Sequence, residues 1–449
     1  MKAITQYLQG LGYSCAADDY YSQIEIWQKW YRGKVPAVHN YTQYNGKRTL
    51  RRCRRSLGIA KAVAEDWANL LLNEKTGITV NKQKPQKQIE QILQDNSFWV
   101  RGNQLIELAF AMGTGAFVEF LDGDQVKIDY IRAGMVYPLT WDNGRVTECA
   151  FASEHSTSKT KTVRLNIHRL EDDKYIIENH LFERNGRTLR EKELPEGVEP
   201  LVQTGSSVPR FQLITPNIAN NISPDCPLGI SVYANALDQL EGTDLVYDSY
   251  VNEYRLGKKR ITIPLSMARI AMEEDGSVSP TFDDNDTEFY AVPQEQGMDN
   301  KIQEHNMEIR AQDHSQGIQD MLDLVSWKCG FGFRRYVFQD GQVKTATEVI
   351  SNDSDLYRNI CKHELVLAQA LRGLVAAIAD MAHLGQLEVS VTFDDSIIVD
   401  ADRQREIDRQ DVRDNLMQPY EYRMKWYGED EATAKQKVAQ EGEPIKFRE

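Results

Sequence analysis

The chain has 449 residues, more than one ordinary compact domain holds, so two or more packing units are expected. Hydrophobic residues make up 41%, enough for real cores, and 53 basic against 67 acidic residues leave a formal charge of −14. A surface that grips nucleic acid broadly is basic, so any DNA contact here is local or loose. The six cysteines are scattered and form no CxxC pair, which argues against a zinc site or a redox motif and for a reducing compartment. The first fifteen residues lack an apolar core of signal-peptide length. The most apolar long stretch, Leu365 to Ala382, carries Arg372 and Asp380 at helical periodicity and reads as a buried helix, not a membrane span.

In chain order, Tyr21 to Gly33 places Ile24, Trp27, Trp30 and Tyr31 at helical spacing. A basic loop, Asn45 to Ser56, follows, and Ile59, Val63, Trp67, Leu70 and Leu71 then mark a second amphipathic helix. From Lys82 to Pro224 a helix around Gln88 to Met112 precedes alternating segments. Gly113 to Ile131 alternates across an Asp-Gly-Asp turn, and further strands are separated by Asp142-Asn143-Gly144 and Asn185-Gly186. This reads as an α+β module with a mostly antiparallel sheet. Ser231 to Arg255 reads as one helix of about 37 Å, ending at Gly257 beside three cations. Lys259 to Pro264 and Thr287 to Pro293 read as strands around an acidic loop, and a further helix is expected from about Lys301 to Lys328. A loop rich in Gly, Phe and Arg spans Cys329 to Lys344. Thr345-Ala346-Thr347-Glu348 then fits a capping box that opens a helix of about 57 Å, to Ala382. A strand at Leu387 to Phe393 and charged tail helices from Asp402 complete the chain.

Enzyme signatures fail one by one. The Gly-Lys pairs at Gly33, Gly46 and Gly257 lack the rest of a phosphate-binding loop, and Gly113-Thr114-Gly115 has Val118 where a dinucleotide fingerprint needs glycine. His363-Glu364 opens like a zinc-protease helix, but position 367 is Leu. Neighbours in a strand point to opposite faces, so Asp394-Asp395 reads as a surface turn rather than a carboxylate dyad. No catalytic, cofactor or metal residue is assigned. The remaining alternative is a cytosolic α+β enzyme or scaffold of unknown activity.

The order of elements carries a resemblance. YNGKRTLRRCRRSLGIAKAVAEDWANLLLNE, PLGISVYANALDQLEGTDLVYDSYVNEYRLGKKRI, KTATEVISNDSDLY and FDDSIIVDADRQREIDRQDVRDNLMQPYEYRMKWYG occur together in this order. The chain thus resembles the portal proteins of long-tailed siphophages of Gram-positive bacteria, over nearly its whole length. The resemblance implies a closed, usually dodecameric ring around a DNA channel. It implies an N-terminal helical part of the wing at 1–80, an α+β wing at 81–226 and a stem helix at 227–258. A clip follows at 259–300, a second stem helix at 301–328, a tunnel loop at 329–344, a long wing helix and return strand at 345–400, and crown helices at 401–449. It also implies transient, non-sequence-specific contact with double-stranded DNA and docking of the terminase large subunit, a head–tail adaptor, and major capsid and scaffolding proteins. The setting would be the virion, at the head vertex, with assembly in host cytoplasm and no membrane.

Asp238, Glu241, Asp244 and Asp248 form an acidic stripe, either a solvated helix face or a channel wall that repels DNA from all sides so that it slides. Arg334 and Arg335 are surface charges or phosphate contacts, and Gln339 and Lys344 are further channel candidates in the same loop. Lys258, Lys259 and Arg260 are helix-end charges that also suit docking of a partner at the clip. Arg51, Arg52, Arg54 and Arg55 suit either DNA or a neighbour's carboxylates.

Overall fold

The computed structural model describes residues 2–16, 18–44, 48–156, 160–185, 188–264, 271–272, 278–279, 289–292, 302–338, 346–393, 401–414 and 416–441. Helices α1 (Lys2–Gly10) and α2 (Asp18–Tyr31) and the single turn α3 (Pro36–His39) lead into a hairpin of β1 (Asn40–Tyr44) and β2 (Thr49–Cys53). The basic stretch expected as a loop is therefore largely a strand, with Asn40 opposite Cys53 and Tyr44 opposite Thr49. Leu50, Arg52 and Arg54 alternate with more exposed residues, a period of two that the density of charge conceals. Helix α4 (Ile59–Leu71) buries the five expected apolar residues.

After β3 (Gly77–Val80) the expected single helix is two, α5 (Gln83–Asp95) and α6 (Phe98–Met112). The break has a cause: Asn96 donates to the carbonyls of Ile92 and Val126 and accepts the Ile128 N–H, while Ser97 sits at φ 51°. The side chain thus ends one helix and ties it to the sheet. Strands β4 (Gly115–Asp122) and β5 (Gln125–Arg132) form the expected hairpin. Then come β6 (Val136–Asp142), β7 (Arg145–Ser156), β8 (Lys161–Glu171), β9 (Lys174–Asn185), β10 (Thr188–Lys192), β11 (Leu201–Gln203) and β12 (Phe211–Ile214). They build an antiparallel sheet ordered β10-β9-β8-β7-β6, with β11 also on β9, and a second sheet ordered β12-β4-β5. Gly113 is held at φ 87°, and a Cβ there would lie 2.1 Å from the Gly229 carbonyl oxygen. The Gly-Thr-Gly run is a close backbone crossing, not a nucleotide loop.

Helix α7 (Leu237–Leu256) begins later than expected, because Ser231 to Tyr233 are buried in the core against α2 and α6. There Val232 N–H donates to the Phe110 carbonyl and the Tyr233 hydroxyl to the Trp27 carbonyl. The strands β13 (Arg260–Pro264), β14 (Ala271–Met272), β15 (Val278–Ser279), β16 (Phe289–Val292) and β17 (Gln303–His305) follow. Strand β13 runs parallel to β16 and antiparallel to β17. Pairing of β17 takes up chain expected as helix, so α8 (Ala311–Lys328) starts at Ala311 rather than near Lys301. Helix α9 (Ala346–Met381) has 36 residues, about 54 Å at the helical rise. The capping box at Thr345 and the Asp394-Asp395 pair lie outside the described residues. Strand β18 (Val389–Thr392) pairs with β3 and fastens the far end of the chain to the start of the wing. The tail forms α10 (Ala401–Arg413), α11 (Pro419–Tyr427) and α12 (Glu431–Glu441).

One continuous core joins α2, α4, α6, the wing sheets, the wing end of α7 and α8, and the later turns of α9. Tyr422 and Ala434 are buried outside it, so the tail packs around a small centre of its own. Trp426 donates to Asp408 at 2.7 Å and Lys425 pairs with the same carboxylate at 2.6 Å. Among the described residues no helix is long and apolar enough to cross a membrane.

Candidate functional site

Helices α7 and α8 pack as an antiparallel pair. At one end Lys328 reaches the Asn235 carbonyl at 3.3 Å. At the other, Arg310 clamps Glu253 with two bonds of 2.9 Å, and His314 stands 3.5 Å from the same carboxylate. The Arg310 hydrogen bond is the main reason that the Glu253 carboxyl is held down at about 2. Between these ends a Cβ on Gly242 would meet Met321 Sδ at 3.0 Å, and one on Gly317 would meet Val246 at 3.3 Å. The two small residues let the helices approach closely. Neither glycine is conspicuous in sequence, because a mid-helix glycine reads first as a weakness.

The structure divides the acidic stripe in two. Asp244 and Asp248 are 2% and 5% exposed, within the chain itself, so the expectation that they wall a channel is corrected. Asp244 accepts the Leu57 N–H at 2.7 Å, the Ser56 hydroxyl at 3.1 Å and His39 Nε2 at 2.9 Å. His39 Nδ1 accepts the Val35 N–H, which leaves Nε2 as the donor toward Asp244. Asp248 accepts from both the backbone and the guanidinium of Arg55 at 3.1 Å, and from Asn252 at 2.9 Å. The physical reason is charge compensation: a buried carboxylate persists where several donors converge on it, and the basic stretch at 54–57 supplies them. Asp238 and Glu241 remain exposed, on the helix side that also carries Leu245 and Leu256, 46% and 57% exposed.

The loop after α8 is pinned at its start. Phe331 stacks on Trp67 with ring centres 4.7 Å apart, and Trp67 Nε1 donates to the Cys329 carbonyl at 3.1 Å. Gly330, Gly332 and Arg334 all take positive φ, so the chain turns sharply through this stretch. Arg335 lies 3.3 Å from Asp66 and over the Phe331 ring, and Arg334 lies 3.8 Å from Asp323. Both arginines thus have carboxylate partners in the same chain. Gln339 and Lys344 lie outside the described residues. Beyond α7, Arg260 donates to the Leu256 carbonyl at 3.3 Å, as a helix-end charge does, and Lys259 holds Glu304 at 2.6 Å. Lys258 is exposed.

His363, which mimics a zinc-protease helix in sequence, is a core residue. It packs edge-on against Trp67 and Phe110 and accepts the Asn217 N–H at 3.0 Å. Burial pushes its pKa down to about 3. Among the described residues no group of His, Cys, Asp and Glu is arranged to hold a metal ion. One feature is silent in sequence. A cavity of about 830 Å³ in the wing is lined by Glu119, His168 and Arg210, among others. Both Glu119 carboxyl oxygens are buried with no side-chain hydrogen-bond partner among the described residues, and burial raises that carboxyl well above its ordinary range. Its neighbours in β4 are apolar, and alternation alone does not say which side of a strand faces a cavity.

Comparison with known proteins separates these possibilities. No curated protein matches the chain. A solved structure, the neck of a native GTA particle computed with C12 symmetry, is similar over 81% of this chain and 87% of that one, at 10% identity and a TM-score of 0.40. The model of the family described as phage portal protein, SPP1 Gp6-like, matches residues 16–445. The chain therefore belongs to the phage portal protein family, and its function is that of a portal.

Proposed function

We propose that the chain is the repeated subunit of a closed ring at the phage head vertex, with DNA passing through the axial opening during packaging and ejection. The observation that carries this is the family match over residues 16–445. The architecture supports it: a stem of two closely packed helices stands on a body held by one core, and α7 keeps one acidic side open. The portal family is structural, and the ring's work is geometric, with nucleotide hydrolysis left to the terminase large subunit. Partners of the finer kind are a head–tail adaptor, the major capsid protein and scaffolding protein, with assembly in host cytoplasm.

For the channel wall, the first turns of α8 are the better candidate, since Gln312, Asp313, Gln316 and Asp320 are exposed there before Leu324 and Trp327 continue the same side. On α7, exposed Leu245 one turn beyond Asp238 and Glu241 favours a protein surface. Arg334 and Arg335 set the tunnel-loop base, while Gln339 and Lys344 remain its candidates for touching DNA. Lys258, exposed between α7 and β13, is the candidate docking charge at the clip. The test is mass in solution together with a low-resolution image. A discrete particle of about a dozen copies with a central hole is expected, as cyclic closure requires. A stable monomer at assembly concentrations overturns the reading.

A further inference from the structure

We propose that the β1–β2 hairpin is an inter-subunit arm that docks on the open side of α7 in the next copy of the ring. The inference rests on the ring reading and adds a specific contact to it. Four observations converge. First, the hairpin is a sheet of two strands only, with no third strand on either edge among the described residues. An isolated two-stranded hairpin is marginal in water, and a free edge or face invites a partner. Tyr44, near its tip, is 68% exposed. Second, residues 40–56 contain six cations and no acid, in a chain whose net charge is −14. Arg54 and Arg55 are spent inward, on the Val38 carbonyl and on Asp248, whereas Arg51 is exposed and Arg52 half-exposed. Third, the base of the hairpin is locked to α7 by the buried carboxylates Asp244 and Asp248, which fixes its direction relative to the stem. Fourth, the outward side of the same helix presents Asp238 and Glu241, with exposed Leu245 one turn further on. That side offers carboxylates for Arg51 and Arg52 and apolar surface for Tyr44.

Repeated head-to-tail from one copy to the next, such a contact closes into a ring when its rotation closes. DNA is the competing occupant for a basic hairpin, but an exposed tyrosine paired with a mixed acidic and apolar receptor matches protein better than phosphate.

The test uses two charge-reversed chains, R51E/R52E and D238K/E241K, with native mass spectrometry as the readout. Each alone sets like charges against each other, and its ring fraction should fall at least about tenfold below wild type. Mixed in equal amounts they should recover rings in which the two chains alternate, since each reversed arm then meets a reversed receptor. Tyr44→Ala, which changes no charge, should weaken assembly in the same direction and guards against misfolding of the reversed hairpin. Rings of normal yield from both R51E/R52E and Tyr44→Ala overturn the proposal, as does a mixture of folded chains that stays unassembled. Normal rings that have lost only retention of duplex DNA also overturn it and assign the hairpin to DNA. A wild-type chain that forms no ring fails at the earlier step and sinks the ring reading itself.

Discussion

Helix α7 treats its two pairs of carboxylates in opposite ways. Where α7 runs past residues 39–57, its carboxylates Asp244 and Asp248 are enclosed and met by several donors from that segment. A turn or two earlier on the same helix, Asp238 and Glu241 face outward, near exposed Leu245. Four acids in one helical stripe thus do two jobs. The inner pair fastens the N-terminal segment to the stem within one chain, and the outer pair is left for whatever the assembly brings. The lesson is that helical spacing identifies a stripe, whereas only the partner segment decides which part of it is surface.

Alanine at the two kinds of position separates the jobs most sharply. Asp244→Ala leaves the Leu57 N–H, the Ser56 hydroxyl and His39 without their acceptor, and the loss expected for breaking a buried pair is about 3–5 kcal/mol. Asp238→Ala, at an exposed position, should stay within about 0.5 kcal/mol. Urea unfolding of both variants measures the difference. Equal losses would mean that the stripe is a single electrostatic surface after all.

The same division explains what was legible in the sequence. The α2 and α4 helices, the antiparallel strands of the α+β region and the long α9 all follow from apolar periodicity, because each has one side pressed into the core. The misses have a common origin in groups that work across long separations. Asn96 breaks a helix by bonding to strand residues thirty positions away. Strand β17 exists because β13, some forty positions earlier, lies beside it. The burial of Asp244 depends on a histidine 205 positions away. Local pattern cannot encode such pairings, so the acidic stripe was readable as a stripe but not as a buried clasp.

A second prediction, smaller per group, concerns acid. His168 and His363 are buried, and burial lowers the pKa of each to about 3. In the unfolded chain an imidazole takes up its proton near pH ~6.5. Between those values the unfolded state binds protons that the folded state refuses, so stability is present at neutral pH and lost as pH falls. Each imidazole should remove up to about 2 kcal/mol between pH ~6.5 and pH ~5. Urea midpoints of wild type against His363→Gln, which can keep an acceptor for the Asn217 N–H, read one histidine's share of the slope. Glu119 acts with the opposite sign. Its folded carboxyl is raised, so stability falls as pH climbs above the unfolded value of ~4.5, and Glu119→Gln should flatten that limb. A wing whose stability does not depend on these residues would show that water or a ligand fills the cavity and serves them.

The smallest effect belongs to the outer end of the stem, where the charges are solvated. Arg310 holds Glu253 in a two-bond clamp, and the carboxyl is lowered to about 2. A lowered carboxyl contributes stability above its unfolded pKa and loses it as pH falls toward 2, but at a surface this contribution is screened and small. Thermal melting of Arg310→Gln should therefore stay close to wild type, while the Glu253 carboxyl, followed by NMR titration, should move up toward its ordinary value near ~4.5. His314, 3.5 Å from the same oxygen pair, should hold back part of that movement. A variant that instead melts early would place Arg310 among the residues that fasten α8 to α7, and the contrast drawn between an enclosed, compensated inner stem and a solvated outer stem would then stop short of Glu253.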